Sequence, residues 1–170
     1  ITVSLASGAM MSAGNDPSRA HFSPEELDAI VDEASRLGVP VAAHAHSAAG
    51  VKAAILAGAR TIEHGTFIDD EGIRLLQEKG VYLVPTLYVG DYYLNEQPGS
   101  EAQAKMNELT RKYRAQYMAA LGKAIKSGVK VGVGTDQVGF PVQQGVRELG
   151  LLVEAGMTPM QAIQAATRVN

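Results

Sequence analysis

A single structural unit recurs along this chain: an amphipathic helix, then a glycine, then a short apolar segment rich in β-branched residues. The first copy begins at Ser23, a typical N-cap residue that is followed by proline, with Glu26 placed to complete a capping box. Apolar residues then recur at helical spacing as far as Gly38, and residues 39–45 follow as a predicted strand. Strands that alternate with helices form parallel sheets with right-handed crossovers, so the unit predicts an α/β fold.

Further copies of the unit follow along the sequence. Helices are predicted at about 48–56, 70–79, 100–126 and 142–154, and a last helix begins at Thr158, again with proline next. Residues 90–99, rich in Tyr, Asn and Pro, are predicted as a loop. The five predicted strands are at about 1–7, 39–45, 60–64, 81–86 and 129–134.

The number of strands leaves two architectures open. A complete eight-stranded (β/α) barrel needs ~250 residues, whereas this chain has 170. We therefore expect one domain, residues 1–170, that is either a partial (β/α)8 barrel or a complete doubly wound sheet. The chain begins with Ile1 rather than Met and stops inside a helical pattern, which we interpret as a piece of a longer protein.

Composition excludes several functional classes. Zero cysteines exclude a disulfide scaffold and a thiolate metal site. A net charge of −3 without a basic stripe argues against nucleic acid as a partner. No apolar run reaches the ~18 residues of a membrane span, so we expect no membrane partner. These features do not fix the compartment, and the cytoplasm is the default expectation.

Histidine and aspartate residues end several of the predicted strands. His44 ends one strand and His64 the next, with His46 two residues beyond the first, and Asp136 follows the last strand. Functional groups of α/β proteins collect at the carboxyl ends of parallel strands. Imidazoles and a carboxylate there would form a nitrogen and oxygen site suited to a divalent metal such as zinc. Such a metal activates water, and Asp136 would ligate the metal or accept the proton of that water.

Each of these residues also has an ordinary structural interpretation. A single histidine at a strand end is more often a hydrogen-bonded structural group, and Asp136 is also placed to cap a loop. Tyr88 either lines a substrate pocket or packs an insertion onto the sheet. Glu63 alternates with His64 and is interpreted as a packing or salt-bridge residue. The charged stretch 101–126 is interpreted as a solvated helical face.

Several segments together resemble the amidohydrolase superfamily, in its imidazolonepropionase-like and Xaa-Pro dipeptidase-type branch. The matching segments are ASGAMMS (6–12), FSPEEL (22–27), VDEA (31–34), VAAHAH (41–46), TIEHG (61–65) and GTD (134–136). The resemblance implies strands four to eight of a (β/α)8 barrel and a metal-activated water that attacks an amide or related C–N bond. It also implies that His44, His64 and Asp136 are metal ligands, with Asp136 as the proton shuttle. His46 and Tyr88 are then candidates for contacting a small-molecule or dipeptide-like substrate.

Two departures from the family pattern bear on the metal. The His-x-His pair that supplies two further ligands in relatives has no counterpart before His44, and we expect it on a missing N-terminal part. Relatives also carry a bridging carboxylated lysine, which an ungapped match places at Val3, and residues 1–51 contain no lysine. A local shift in the match would instead place that lysine just upstream of Ile1. Of the one or two divalent ions that the family binds, most often zinc, the valine favours one.

Rival hypotheses remain open at this point. The first hypothesis is that the chain is part of a metal-dependent hydrolase. The second is that it is a catalytically incomplete fragment or a non-enzymatic α/β binding module. The third is a doubly wound sheet that binds a phosphorylated ligand. A partial barrel would expose two strand edges, which predicts homo-oligomer formation through them.

Overall fold

Four parallel strands form the sheet of this protein, for which we analysed a computed structural model that describes residues 2–5, 19–94, 98–137 and 139–170. The strands are β1 (Thr2–Leu5), β2 (Val41–Ala45), β3 (Thr61–His64) and β4 (Tyr82–Val84). They lie side by side in the order β1-β2-β3-β4. A doubly wound sheet is defined by a reversal of its strand order. The described strands show no such reversal. The predicted α/β fold with a parallel sheet is confirmed.

The register of the strands brings their carboxyl ends to one edge of the sheet. Leu5 pairs with His44, and Ala45 pairs with His64 on the next strand. Of the predicted first strand, residues 1, 6 and 7 lie outside the described residues, as does the motif at 6–12.

The predicted fifth strand, residues 129–134, is present only as a single parallel bridge between Leu83 and Val131. The Leu83 N–H donates to Lys130 O at 2.9 Å, and the Gly132 N–H donates to Leu83 O at 2.9 Å. One residue further on, the Asn170 side chain accepts from the Val133 N–H at 2.9 Å and donates to its carbonyl oxygen at 2.7 Å. Because Lys130 and Gly132 face β4, the backbone groups of Val133 face the opposite edge of this segment, and the Asn170 side-chain amide occupies both of them.

Seven α-helices connect and flank the strands in the described part of the chain. They are α1 (Pro24–Arg36), α2 (Ala48–Ala57), α3 (Asp70–Lys79), α4 (Tyr88–Leu94), α5 (Glu101–Lys126), α6 (Arg147–Glu154) and α7 (Pro159–Gln164). The capping box at Ser23 and Glu26 is confirmed, with both hydrogen bonds present. Gly58 and Gly80 end α2 and α3 in the left-handed conformation, which suits glycine. A 3-10 turn (Val142–Val146) precedes α6, and a π-helical turn (Ala165–Val169) follows α7.

Helix α4 corrects the sequence prediction, which placed a loop at residues 90–99. At the N-terminal end of α4, the backbone amides of Leu87 and Tyr88 donate to the carboxylate of Glu148 at 2.8 and 2.7 Å. The first N–H groups of a helix have no partner within the helix itself. A residue 60 positions away supplies that partner here, and local sequence does not reveal it.

The core lies between one face of the sheet and the helices. Alternate strand residues are buried on this face: Ala43, Ala45, Ile62, Leu83 and Val131. They pack with apolar side chains of α2, α3, α5 and α6, such as Ile55, Leu76, Leu121 and Leu152. The opposite face is only partly buried and carries His44 and Glu63. Among the described helices, none combines the length and the apolar character that crossing a bilayer requires.

Candidate metal centre

Three histidines lie together at the carboxyl end of the sheet. His44 is on β2, His46 is the first residue after it, and His64 ends β3. One ring nitrogen from each lies within 4.8 Å of the other two, and the ring centres are 4.4–4.7 Å apart. The parallel pairing of β2 with β3 produces this convergence, because it aligns the ends of the two strands.

Hydrogen bonds fix the orientation of each ring. His64 Nε2 lies 2.8 Å from His44 Nδ1, so these two nitrogens share one proton. The other nitrogen of His64, Nδ1, lies 2.6 Å from the Thr86 hydroxyl oxygen. His46 Nδ1 lies 2.7 Å from the hydroxyl oxygen of Thr66. Hydrogen bonds to the second ring nitrogen fix the orientation of metal-binding imidazoles in proteins, and these two hydroxyl groups are placed to supply them.

The surroundings keep the buried imidazoles neutral. Burial lowers the pKa of His64 to about 3, with a further contribution from His44. Burial, followed by the nearby His64 and His44, also lowers the pKa of His46 well below its usual value. Because only a neutral imidazole has a lone pair for a metal, these rings are ready to bind a cation at neutral pH.

Three residues in or near the histidine cluster have left-handed backbone conformations although none is glycine. The φ angles are +73° at His64, +51° at Thr86 and +44° at Asp136. For a β-branched residue such as threonine this conformation is strained, and strained residues concentrate at functional sites. The strain occurs at the ends of β3 and β4 and in the segment that follows the Val131 bridge.

Tyr117 on α5 supports the same backbone from the side. Its hydroxyl donates to the carbonyl oxygen of His64 at 2.6 Å and also contacts the carbonyl oxygen of Pro85. Burial, followed by the charge of Glu148, raises the pKa of Tyr117 well above its usual value. The hydroxyl therefore stays protonated and remains a donor.

A cavity of about 170 Å³ opens beside the histidines. Apolar groups from α4 and α5 dominate its lining: Val89, Leu109, Tyr113 and Met118. Arg114 and Asp91 also reach the cavity, where they form a two-point ion pair with both N···O distances at 2.8 Å. This cavity is of the size that holds one small apolar group.

The structure brings some of the predicted site residues together and separates others. His44, His46 and His64 form the cluster, whereas Asp136 is exposed and lines the cavity without belonging to the cluster. Tyr88 lies away from the histidines, because its hydroxyl donates to Gln144 Oε1 at 2.5 Å and its ring packs on Phe140. The roles assigned to these residues stay predictions.

Glu63 has surroundings that the sequence did not indicate. It lies directly opposite His44 in the β2–β3 register, and it accepts a hydrogen bond from the Thr61 hydroxyl. Burial raises its pKa, the Thr61 bond opposes that shift, and the neighbouring charge of Asp136 adds to it. Glu63 is thus a half-buried acid close to both predicted functional groups.

Sequence reasoning missed the contribution of α5 to the site. It treated residues 101–126 as a solvated face, but one side of the helix lines the cavity through Leu109, Tyr113 and Tyr117. The signal was present, because these residues recur every four positions and Leu121 in the core continues the series.

The donor set fits a transition metal. Three imidazoles, two of which face each other across 2.8 Å, match the nitrogen ligands that zinc takes in catalytic sites. The hydroxyl groups of Thr66 and Thr86 complete the outer hydrogen bonds of two of the rings.

Comparison with known proteins identifies relatives that match nearly the whole chain. Ochratoxinase from Aspergillus niger is 41% identical over 167 residues, which are 96% of this chain and 34% of that protein. The crystal structure of an A. niger ochratoxinase matches with a TM-score of 0.85 and 39% identity, over 98% of this chain and 38% of the other. A Xaa-Pro dipeptidase crystallised with methionine in its active site matches with a TM-score of 0.86 and 35% identity, over 97% and 41%.

A further relative is imidazolonepropionase from Paraburkholderia phymatum, 34% identical over 98 residues, which are 56% of this chain and 23% of that protein. The chain spans about a third of the length of the ochratoxinase that it matches. The model of the Amidohydrolase family matches residues 2–170. With relatives this similar over nearly the whole chain, the protein belongs to the amidohydrolase family.

Proposed function

We propose that this chain supplies part of the active site of a metal-dependent hydrolase that cleaves a carbon–nitrogen bond, in an amide, peptide or cyclic amide, with activated water. The observation that carries the proposal is the cluster of His44, His46 and His64 beside a mostly apolar cavity. The names of the relatives support it, since they include an ochratoxinase, a Xaa-Pro dipeptidase and an imidazolonepropionase.

The sheet is proposed to be an arc of a (β/α)8 barrel that corresponds to strands four to eight. Four features support this: the strands are parallel, they follow sequence order, the Val131 segment continues the sheet beyond β4, and the proposed catalytic groups lie at the carboxyl ends. Active sites of such barrels occupy that end.

His44, His64 and Asp136 are proposed to hold the metal, with Asp136 as the carboxylate ligand implied by the family. His46, the third imidazole of the cluster, is proposed to contact the substrate. When bound there, zinc supplies a Lewis acid that lowers the pKa of water and polarises a carbonyl group. The low pKa of His64 keeps its ring unprotonated and available under neutral conditions.

Asp136 is proposed to move the proton. Its carboxylate is exposed at the cavity wall, so an oxygen of this group accepts the proton of the attacking water and returns it to the nitrogen of the leaving amine. Glu63, with its raised pKa, lies near enough to Asp136 for their charges to interact.

A single metal ion is proposed. Val3 lies on β1 and pairs with Ala42, two residues before His44. Valine has no group that coordinates a metal, so the position at which relatives carry a bridging lysine contributes nothing to a second ion.

The proposed substrate is a small molecule or a dipeptide-like compound with one apolar group, which the cavity beside Val89 and Met118 would take. The Xaa-Pro dipeptidase and the ochratoxinase support substrates of this size. Neither nucleic acid nor a membrane is proposed as a partner.

The test uses the intact protein that contains this chain, purified with zinc. We expect about one equivalent of zinc per chain and turnover of at least one member of a panel of C-terminal-proline dipeptides and ochratoxin. His44→Ala and His64→Ala are each expected to lose the zinc, whereas His21→Ala, which changes an exposed histidine, keeps it.

Asp136→Asn separates proton transfer from metal binding. We expect it to lower turnover by about 10²-fold or more while lowering the zinc content much less. A wild-type protein without bound metal, or full activity in His64→Ala, would contradict the proposed function.

A further inference from the structure

Glu148 is a fully buried carboxylate that takes no part in the cavity or in the histidine cluster. One of its oxygens accepts the Leu87 N–H at 2.8 Å and the other accepts the Tyr88 N–H at 2.7 Å. A charged group is costly to bury unless strong hydrogen bonds compensate it. Burial, opposed by these two bonds, raises the pKa of Glu148 to about 7, and the charge of Asp91 adds to the rise.

Tyr117 holds the same stretch of backbone from a different helix. Its hydroxyl donates to the carbonyl oxygen of His64 and also contacts the carbonyl oxygen of Pro85. The peptide groups on either side of Thr86 are thus both fixed, by Tyr117 on α5 and by Glu148 on α6. Thr86 itself has a φ of +51°, and its hydroxyl oxygen lies 2.6 Å from His64 Nδ1.

We propose that Tyr117 and Glu148 are positioning residues that hold Thr86 and His64 in their left-handed conformations and thereby fix the His64 imidazole for cation binding. This inference rests on the proposed function for its consequence, namely that His64 binds a metal. The geometry itself is independent of the metal.

The physical argument concerns stored strain. A threonine in a left-handed conformation relaxes unless its surroundings hold it, because that region costs free energy for a β-branched residue. Here, hydrogen bonds from two separate helices hold the residues before and after Thr86. If either is removed, Thr86 rotates toward an ordinary conformation, and its hydroxyl moves away from His64 Nδ1.

The experiment compares two variants with matched controls in the intact protein. Tyr117→Phe removes one hydroxyl, and Glu148→Gln replaces one acceptor oxygen by a donor that faces an N–H. The controls are Leu121→Ala and Leu152→Ala, each one helical turn further along the same helix and fully buried in the core. They remove core side-chain volume from α5 and α6 but none of the hydrogen bonds to residues 85–88.

Two measurements are made on all four variants. The first is the long-range ¹H–¹⁵N imidazole spectrum of the metal-free protein, in which Tyr117→Phe and Glu148→Gln are expected to shift the His64 signals while the controls leave them in place. The second is cobalt binding, monitored by its visible absorption. We expect about 10- to 100-fold weaker binding and an altered spectrum in the two variants only.

Unchanged His64 signals in Tyr117→Phe, or equal shifts in the controls, would overturn the positioning role. If Glu148→Gln does not fold, Tyr117→Phe decides alone, since it keeps the ring and removes a single hydrogen-bond donor. If the wild-type protein binds no cobalt, the proposed function fails, and the imidazole spectra of the metal-free proteins still decide whether the two residues position His64.

Discussion

The hydroxyl oxygen of Thr86 lies 2.6 Å from His64 Nδ1, which connects the end of β4 to the end of β3 at the centre of the site. The opposite nitrogen of the same ring faces His44. His64 is therefore held from both sides, by a hydroxyl outside the cluster and by an imidazole within it. The following predictions concern this arrangement and its surroundings.

Replacing the hydroxyl by a methyl group tests the connection directly. Thr86→Val keeps the shape of the side chain but leaves His64 Nδ1 without its partner. Because groups that orient a ligand typically contribute 10- to 100-fold to metal affinity, we expect zinc binding to weaken by about 10-fold. Competition with a chelating dye measures the change. Thr86→Ser, which keeps the hydroxyl, should bind zinc nearly as tightly as the wild type.

The low pKa of His64 predicts acid sensitivity of the metal-free protein. The pKa is about 3 in the folded state against an ordinary 6.5, so the unfolded state binds more protons between these values. The contribution of His64 to the free energy of unfolding is then complete above about pH 6.5. It is lost as the pH falls toward 3, by roughly 5 kcal/mol in total. Denaturant unfolding at pH 4.5 and 7.5 measures the loss.

A glutamine variant is the control for this effect. His64→Gln should reduce the difference in unfolding free energy between the two pH values, whereas His21→Gln, at an exposed position, should not. Equal pH dependence in the wild type and His64→Gln would show that His64 is not buried as described.

Glu148 predicts the opposite dependence on pH. Burial raises its pKa to about 7 from an ordinary 4.5, so the folded state binds the extra proton. Stability from this group is complete below about pH 4.5 and falls as the pH rises through 7, by roughly 3 kcal/mol. We expect the ratio of unfolding constants between wild type and Glu148→Gln to change across this range. A constant ratio from pH 4.5 to 8 would contradict the raised pKa.

The cavity predicts a selective effect on substrate binding. Val89→Phe adds a ring to a cavity of about 170 Å³, which is only slightly larger than cavities that bind benzene. We expect KM to rise by about 10-fold for substrates with a large apolar group, with little change in kcat or zinc content. Steady-state kinetics on a series of increasing side-chain size tests this. An equal rise for all substrates would indicate general distortion instead.

The helices and the strand ends were predictable because their signals are local. Ser23, Glu26 and the glycines at 38, 58 and 80 mark helix boundaries through capping and left-handed turns, and the structure contains them at those places. The meeting of His44 with His64 followed from the parallel arrangement, since equivalent ends of neighbouring strands are adjacent.

The remaining features depend on contacts that no local pattern reveals. Helix α4 begins where Glu148 accepts two amides, and the Asn170 side chain binds the backbone of Val133. The orientation of Tyr88 is set by Gln144, 56 residues away. Such pairings join residues that are distant in the sequence, so they become visible only in three dimensions.

The left-handed backbone at Thr86 and Asp136 has a consequence for protein engineering. Glycine or asparagine would adopt these conformations at lower cost, so directed evolution for heat resistance alone should favour them at both positions. Each such exchange would discard the hydroxyl or the carboxylate that faces the site. Variants selected for heat resistance alone should therefore lose activity first through exchanges at Thr86 and Asp136, where relief of backbone strain stabilises the fold.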